Sequence, residues 1–468
     1  MKRLRVVIVG AGVSSLACAH RLLKGVREKG LALDLQILEA GPRAGGVLST
    51  VERDGFLMEE GAESFITDKP AALELAKELG LEGQFLRTNP DLKQSFILKG
   101  NKLHPIPEGF TLMAPARWRP LLASPLLSPW GKLRALMEPW VPRRRDPQDE
   151  SAGAFVRRRL GREVFERLAQ PLLGGVYNAD PDDLSLSAAF PRFKEMERTQ
   201  GSLVKALASR PLASQTSGAR YSLFVSFQKG MGSLIQALTA SLPPGALKLK
   251  TRVESIQRKD LDQWTLRLGD GTLEADALVL ALPPHAMKPL IGHLDSEWDK
   301  LLSGIPAHDS ATLNLAFPRE GVGHPLNGFG FVVPERENKI LLGCTFSSQK
   351  FDHRAPSGKV LIRAFLGAPG AQILKAEGEG AAIQRVLAEL KPILGLKSPP
   401  LFTHLAFYEK AMSHFRPGHL SLAARVLQKA SETPGLFLAG NGFTGVGIPD
   451  CVAGGQSAAD KILAGFTA

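Results

Sequence analysis

The chain has 468 residues, 44% of them hydrophobic, and a formal net charge of +12. That length calls for two or three domains, and the lack of any uninterrupted apolar run of spanning length excludes an integral membrane protein. Cys18, Cys344 and Cys451 exclude a disulfide framework and, lacking ligand spacing, a cysteine-held metal; they point to a reducing, cytoplasmic setting, while the charge asks for an acidic partner such as nucleic acid, an anionic membrane or a carboxylate-bearing substrate.

The first elements are the apolar run Val6-Val7-Ile8-Val9, the glycine turn Gly10-Ala11-Gly12-Val13-Ser14-Ser15, and a helix with Leu16, His20, Leu23 and Val26 at three- and four-residue spacing. Gly30 stops that helix, and a second strand, Leu35-Gln36-Ile37-Leu38, ends in Glu39. This is a βαβ dinucleotide site: Gly10 permits the turn, Gly12 admits a pyrophosphate to the helix N-terminus, and Glu39 takes the ribose hydroxyls while repelling a 2′-phosphate. Ser15 replaces the third glycine of the fingerprint, a position that serves close packing, so a small residue is tolerable there. The basic start and Ala17-Cys18-Ala19 also mimic a secretory signal, a reading that leaves the glycines and Glu39 unexplained. Next, Arg43 precedes Gly45-Gly46; such a loop lays amides and one guanidinium along a diphosphate, which moves the cofactor from a nicotinamide toward FAD.

From Asn101 to Pro147 nine prolines break the chain into short segments, with Trp118, Trp130 and Trp140 among leucines and basic residues, and Glu138 the only acid between Ala114 and Arg145. This composition suits a monotopic surface in a lipid interface, or a helical insertion with buried tryptophans; no recognised nucleic-acid module accompanies the charge. Glu163 to Leu173 reads as helical and breaks at Gly174-Gly175. Gly230 to Leu234 opens another helix, and strands are expected at Leu247–Val253, Trp264–Leu268 and Ala277–Leu282, with a hairpin turn at Asp270-Gly271. A second β-rich region covers Ser310–Phe317, Gly328–Val333, Ile340–Phe346 and Val360–Leu366, apolar enough for a flat hydrophobic wall. Leu436–Ala439 is a last buried strand, and Gly440 to Gly447 leads through Pro449 into a final helix, whose dipole would favour an anionic reduced flavin. His104, His285, His353, His404, His414 and His419 have no spacing that makes a site, so no acid–base residue is expected and the chemistry rests on the flavin.

Gly440-Asn441, Gly445-Val446-Gly447 and Asp450-Cys451 form a terminal signature. Gly175-Val176-Tyr177 with Leu184-Ser185, Phe190-Pro191 and Glu197 forms a second block, and Gly328-Phe329-Gly330 through Phe365-Leu366-Gly367 a third. Together they resemble the flavin-dependent protoporphyrinogen oxidases, including the coproporphyrinogen III oxidase branch, within the amine-oxidase-like flavoprotein superfamily. The resemblance implies an α/β and α+β fold: a Rossmann-like FAD-binding domain (1–57, 221–297, 410–468), a β-rich substrate domain (58–97, 195–220, 298–409) and a helical, membrane-associating insertion (98–194). It implies FAD held by Gly10, Gly12, Ser15, Glu39, Arg43, Gly45 and Gly46, with Val253 near the adenine and Gly440, Val446 and Gly447 near the flavin. It also implies a porphyrinogen clamped between Val332 and Phe365, with Thr345 nearby and the Gly175 backbone facing the pyrrole nitrogens.

Under this resemblance, hydride leaves a methylene bridge for the flavin, dioxygen reoxidises it to give hydrogen peroxide, and the product is a porphyrin of haem biosynthesis. A homodimer is compatible with this reading. Many family members place an arginine where Ser95 stands; Ser95 with Lys93, Lys99 and Lys102 close by resembles the coproporphyrinogen branch, whose substrate has four carboxylates. The alternatives are an amine or carotenoid oxidoreductase of the same superfamily, and a flavin-binding scaffold without turnover.

Overall fold

The computed structural model of the chain describes residues 3–92, 94–209, 224–260 and 263–466. Strand β1 (Leu4–Val9), helix α1 (Val13–Lys29) and strand β2 (Leu33–Leu38) form the expected βαβ unit. The last four residues of β1 are buried, as both faces of a parallel sheet demand. Gly30 takes φ +64°, and Leu31 N donates to Val26 O at 2.9 Å, closing the last turn of α1. The sheet runs Leu247–Lys248, β2, β1, Ala277–Leu280, Leu436–Leu438, all parallel, so the first and last strands of the chain end at one edge.

The C-terminal helix, Ile448–Phe466, packs on α1. Gly455 permits the approach, since a Cβ there would lie 2.1 Å from Ser14 O. Ser15 is itself fully buried in α1. Close packing at the missing fingerprint glycine is thus supplied from the opposing helix.

The sequence expects one strand over Leu247–Val253, and the structure breaks it. Lys250 adopts φ +53° because its amide and that of Thr251 turn back to Gly41 O and Glu39 O (2.9 and 2.8 Å). Leu247–Lys248 therefore completes the parallel sheet, and Val253–Asp260 opens a separate antiparallel sheet with Gln263–Leu268 and Gly271–Ala275. The hairpin turn falls one residue earlier than expected, on Gly269-Asp270, and its second strand is Gly271–Ala275 rather than Ala277–Leu280.

The second β-rich region is a seven-stranded sheet in the order Phe402–Ser413, Ala307–Pro318, Lys359–Leu366, Leu341–Thr345, Gly330–Val332, Phe96–Lys99, Lys102–Pro105. One face, with Leu313, Leu315, Phe317, Ile362, Ala364, Phe331 and Leu98, packs in a core with residues of the helix Glu379–Leu394. Alternation sends the other set of side chains to the opposite face. There His404, Asn314, Arg363 and Thr345 form one lateral row, and Thr312, Phe365, Gly343, Val332 and Ile97 the next. This face is polar at the Phe402–Ser413 edge and apolar toward Val332 and Ile97.

Short helices between Trp118 and Ala208 build a third core around Phe155, Leu168, Leu173 and Phe193. Glu138 lies wholly buried at its edge, accepting from Arg159 Nε (2.9 Å), Ser202 Oγ (2.5 Å) and Leu203 N (2.9 Å). Glu163–Leu173 is helical as expected, with a π-helical turn over Phe165–Ala169, but the helix Gln170–Tyr177 runs through Gly174-Gly175 rather than breaking there and ends at Asn178, whose φ is +47°. Among the described residues no helix is long and apolar enough to cross a membrane. Gly455→Ala forces a methyl against the α1 backbone and is expected to cost about 1–3 kcal/mol of stability, read as a lower thermal midpoint of the apo protein.

Candidate cofactor and substrate site

The turn after β1 is built from sterics. Gly10 has φ +95°, and a Cβ on it would stand 2.9 Å from Ala281 O. Gly12 caps α1 in extended conformation (φ −73°, ψ 177°) with no side-chain cap bond, so the first amides of the helix face outward. A Cβ at Gly12 would meet nothing within 4 Å. The Arg43 loop folds against this open space: Gly45 N donates to Ala11 O (2.8 Å), Gly12 and Gly45 pair as a short bridge, and the Cβ position of Gly46 lies 3.6 Å from Gly12 Cα. Glu39 closes the end of β2, its Oε2 accepting from Ala11 N (2.9 Å) and Oε1 from Gly41 N (2.7 Å). Val253 lies buried two residues beyond Thr251, which is bonded to Glu39 O.

Gly440 follows the last strand of the same sheet with φ +121°, its Cβ position 3.1 Å from Leu282 O. Gly445 and Gly447 both pack on Asp450, in the first turn of the C-terminal helix. The open space over Gly12, two glycine loops and two helix N-termini at one sheet edge fit a dinucleotide with a second aromatic ring system. Ser15 is the exception: its Oγ is buried without a partner among the described residues, so its side chain serves packing and only its main chain could reach a phosphate.

Gly175, Tyr177, Val332 and Val446 gather where the insertion meets the substrate sheet. A Cβ on Gly175 would approach Val332 Cγ1 to 3.4 Å, and Val332, Val446 and Tyr177 all pack at the margin of the insertion core. Gly175 and Val176 are exposed, and so is Val47 on the cofactor loop. Phe365, in the same lateral row as Val332, carries the Arg363 guanidinium 4.9 Å over its ring; Thr345 pairs with Arg363. Tyr177 Oη donates to Ala189 O (3.1 Å), and burial raises its pKa to about 12. Ser95 is buried one residue before the strand Phe96–Lys99. Three lysines stand near it in sequence. Lys99 Nζ donates to Pro125 O (2.8 Å), Lys102 is exposed at the hairpin, and Lys93 lies outside the described residues.

Comparison with known proteins agrees with this geometry. Residues 14–463 match the family model of flavin containing amine oxidoreductases. The chain belongs to that family. The coproporphyrinogen III oxidase of Bacillus subtilis (strain 168) is 33% identical over 463 residues, covering 98% of this chain and 97% of that protein. The chloroplastic protoporphyrinogen oxidase of Nicotiana tabacum is 31% identical, covering 97% and 85%. A crystal structure from Exiguobacterium sp. 255-15, provisionally described as a protoporphyrinogen oxidase, gives a TM-score of 0.88 at 31% identity, covering 99% and 100%. Cyclohexylamine oxidase from Brevibacterium oxydans, with a TM-score of 0.72 at 15% identity over 99% and 100% of the two chains, shares the fold.

This flavin oxidoreductase uses FAD, and two of its clusters were not legible in the sequence. The first is Glu59-Glu60-Gly61-Ala62-Glu63, which lies between the cofactor loop and the polar half of the substrate sheet. Glu59 accepts from Thr50 Oγ1 and Met231 N (both 2.7 Å), and burial raises its carboxyl to about 7. Glu63 pairs with Lys350 at 2.5 Å; burial opposes its charge, but Lys350 and Arg363 hold its pKa below the usual value. The only sequence signal was the crowding of three acids between apolar runs.

The second cluster is His308, His414 and His419, with His308 and His414 rings 4.5 Å apart and His419 stacked on Phe415 at 3.8 Å. His419 also bonds the backbone of Phe443 in the Gly440–Gly447 loop, yet burial lowers its pKa to about 4. His308 lies more than a hundred residues before His414 and His419, too far for spacing to reveal the cluster.

Two expectations follow. Gly12→Ala leaves the apo thermal midpoint unchanged, because its methyl meets no neighbour, but fills the cradle and weakens FAD binding by more than roughly tenfold in a fluorescence titration. The unfolded chain protonates His419 near 6.5 and the folded one near 4, so the stability this histidine contributes is present above pH 6.5 and lost as pH falls toward 4. His419→Gln therefore flattens the fall in thermal midpoint across that window.

Proposed function

We propose that this flavoenzyme oxidises a porphyrinogen to the aromatic porphyrin, with dioxygen as terminal oxidant and hydrogen peroxide as by-product. The observation that carries the reading is the apolar half of the substrate-sheet face, where Phe365, Val332 and Ile97 share one lateral row and the exposed Gly175 backbone stands against Val332. A flat apolar wall of this kind matches the face of a flat macrocycle. The names of the relatives, porphyrinogen oxidases aligned over nearly the whole chain, support the same reading.

In this reading the α1 amides beyond Gly10 and Gly12, the Gly45-Gly46 turn and Arg43 hold the diphosphate. Glu39 exchanges its bonds to Ala11 and Gly41 for ribose hydroxyls. Val253 covers the adenine, while Gly440, Val446 and Gly447 line the flavin. FAD supplies, when bound, the acceptor for hydride from a methylene-bridge carbon. The protein's part is positioning: Val332 and Phe365 clamp the ring, Thr345 lies beside them, the Gly175 carbonyl and amide face the pyrrole nitrogens, and apolar walls exclude water. Tyr177, held neutral and bonded to Ala189, is no proton acceptor. Protons leave to solvent as the ring tautomerises over repeated rounds.

An amine oxidase would want an aromatic cage for its cation. Tyr177 and Tyr408 are both engaged elsewhere, and Tyr221 lies outside the described residues. Coproporphyrinogen III is favoured over protoporphyrinogen IX by Ser95 and by the net charge of +12. The buried, unpaired cysteines fit a cytoplasmic enzyme. The test is the rate of porphyrin fluorescence from each porphyrinogen under air and under argon. The expected result is faster, oxygen-dependent oxidation of coproporphyrinogen III; protein carrying yellow flavin that oxidises neither would sink the reading.

A second reading, docking on an anionic membrane, is favoured by the stripe Trp130, Leu133, Met137 and Trp140, exposed at 79, 53, 53 and 79% along one face of the helix Pro129–Leu136 and the turn after it. Arg143 and Arg145, also exposed, follow directly. Trp118, expected in the same surface, instead packs against the insertion core. Trp130→Ser with Trp140→Ser should abolish flotation with anionic vesicles; unchanged flotation refutes docking by this face.

A further inference from the structure

Arg43 sits on an exposed loop, its side chain 42% accessible, and long side chains in such positions sample many rotamers. Its Nη1 makes only long contacts, to Ala44 O and Leu48 O (3.4 and 3.5 Å). Its Nη2, by contrast, reaches out of the cofactor layer to the substrate sheet, donating to Tyr408 Oη (3.2 Å) and standing 3.6 Å from Glu60 Oε2. The other oxygen of Glu60 bonds His404 Nε2 at 2.9 Å, and Tyr408 Oη donates to Oε2 at 3.5 Å. His404 and Tyr408 are four residues apart on the edge strand Phe402–Ser413 and so project to one face. Burial alone would raise the Glu60 pKa, but bonds from Ser49 and His404 and the charges of His404 and Arg43 bring it below the usual value, so the carboxylate is available as an anchor.

We infer that Glu60 is a positioning residue for the cofactor, fixed by His404 and Tyr408 of the substrate sheet and fixing in turn one end of the Arg43 guanidinium, so that Nε and Nη1 are presented to the FAD diphosphate. A guanidinium has five donors in a rigid fork; anchoring one nitrogen orients the others without consuming them. The gain is preorganisation: the rotamer freedom that Arg43 would lose on meeting the diphosphate is already lost in the free protein. The edge strand of the substrate sheet thereby helps to hold the cofactor, although no residue of that strand belongs to the dinucleotide motif. This inference rests on the assignment of Arg43 to the diphosphate and is independent of which substrate is oxidised.

The test is the FAD dissociation constant of the full chain, stripped of flavin and titrated with FAD, for Glu60→Gln, Tyr408→Phe, His404→Ala and His404→Gln, each alone and combined with Arg43→Ala. Apo thermal midpoints are measured alongside. Glu60→Gln and Tyr408→Phe are expected to weaken FAD by roughly three- to tenfold, the loss of a hydrogen bond to a charged group. His404→Gln, which keeps a donor, should stay closer to wild type than His404→Ala. In the Arg43→Ala background none of these changes should weaken FAD further. The inference is overturned if Glu60→Gln and Tyr408→Phe bind FAD as wild type does, or weaken it by the same factor whether or not Arg43 is present. Should Glu60→Gln fail to fold, Tyr408→Phe, which removes one oxygen atom, decides the matter. If Arg43→Ala alone binds FAD normally, Arg43 does not hold the diphosphate and the inference falls, leaving the porphyrinogen reading to its own test.

Discussion

The cofactor layer and the substrate sheet meet across a segment with no room for a side chain. A Cβ on Gly61 would lie 1.8 Å from Val47 O, so the backbone of the cofactor loop and that of Gly61 touch directly. From the other side Asn314 Nδ2 donates to Glu59 O (3.1 Å), Thr312 Oγ1 to Glu60 O (3.0 Å), and Arg363 to the carbonyls of Glu60 and Gly61. These bonds explain why one half of the sheet face is polar. Buried backbone carbonyls outside a ladder need donors, and the sheet supplies them from residues that alternation already directs inward. Arg363 is fully buried in doing so, which burial opposes and which the neighbouring Glu63 and Glu59 charges offset. The carboxylates and cations of this seam therefore depend on one another; removing one partner leaves a buried charge exposed to the full penalty of desolvation.

The same face turns apolar within two strands, where Phe365, Val332 and Ile97 follow Thr312 in lateral order. One sheet thus does two jobs with a single alternation, gripping the cofactor layer by its polar half and presenting a flat apolar surface with the other. Arg363 and Phe365 mark the boundary, two residues apart on one strand.

What could be read from the sequence follows from how local each constraint is. Gly10, Gly12 and Glu39 were legible because the turn, the helix start and the strand end are fixed by backbone sterics within about thirty residues. The final glycine loop was legible for the same reason. Leu247–Val253 was not, because the left-handed turn at Lys250 is imposed by Gly41 and Glu39 from the far end of the chain. The Glu60–His404 contact spans 344 residues and has no periodicity to betray it. Glu138 stood out as a lone acid among bases, but its burial beneath Arg159 depends on helices whose packing no pattern of three or four residues encodes. Gly175 and Val332 could be named only through resemblance, since one is on a helix and the other on a strand that pairs with residues more than two hundred positions earlier.

The contact between Gly455 and Ser14 also sets a timetable. A ribosome makes α1 more than four hundred residues before the helix that packs on it. The Gly440–Gly447 loop, which approaches the same sheet edge, comes just ahead of that helix in the chain. The Gly10–Gly12 turn therefore waits on a segment more than four hundred residues further along the chain before its cradle is complete.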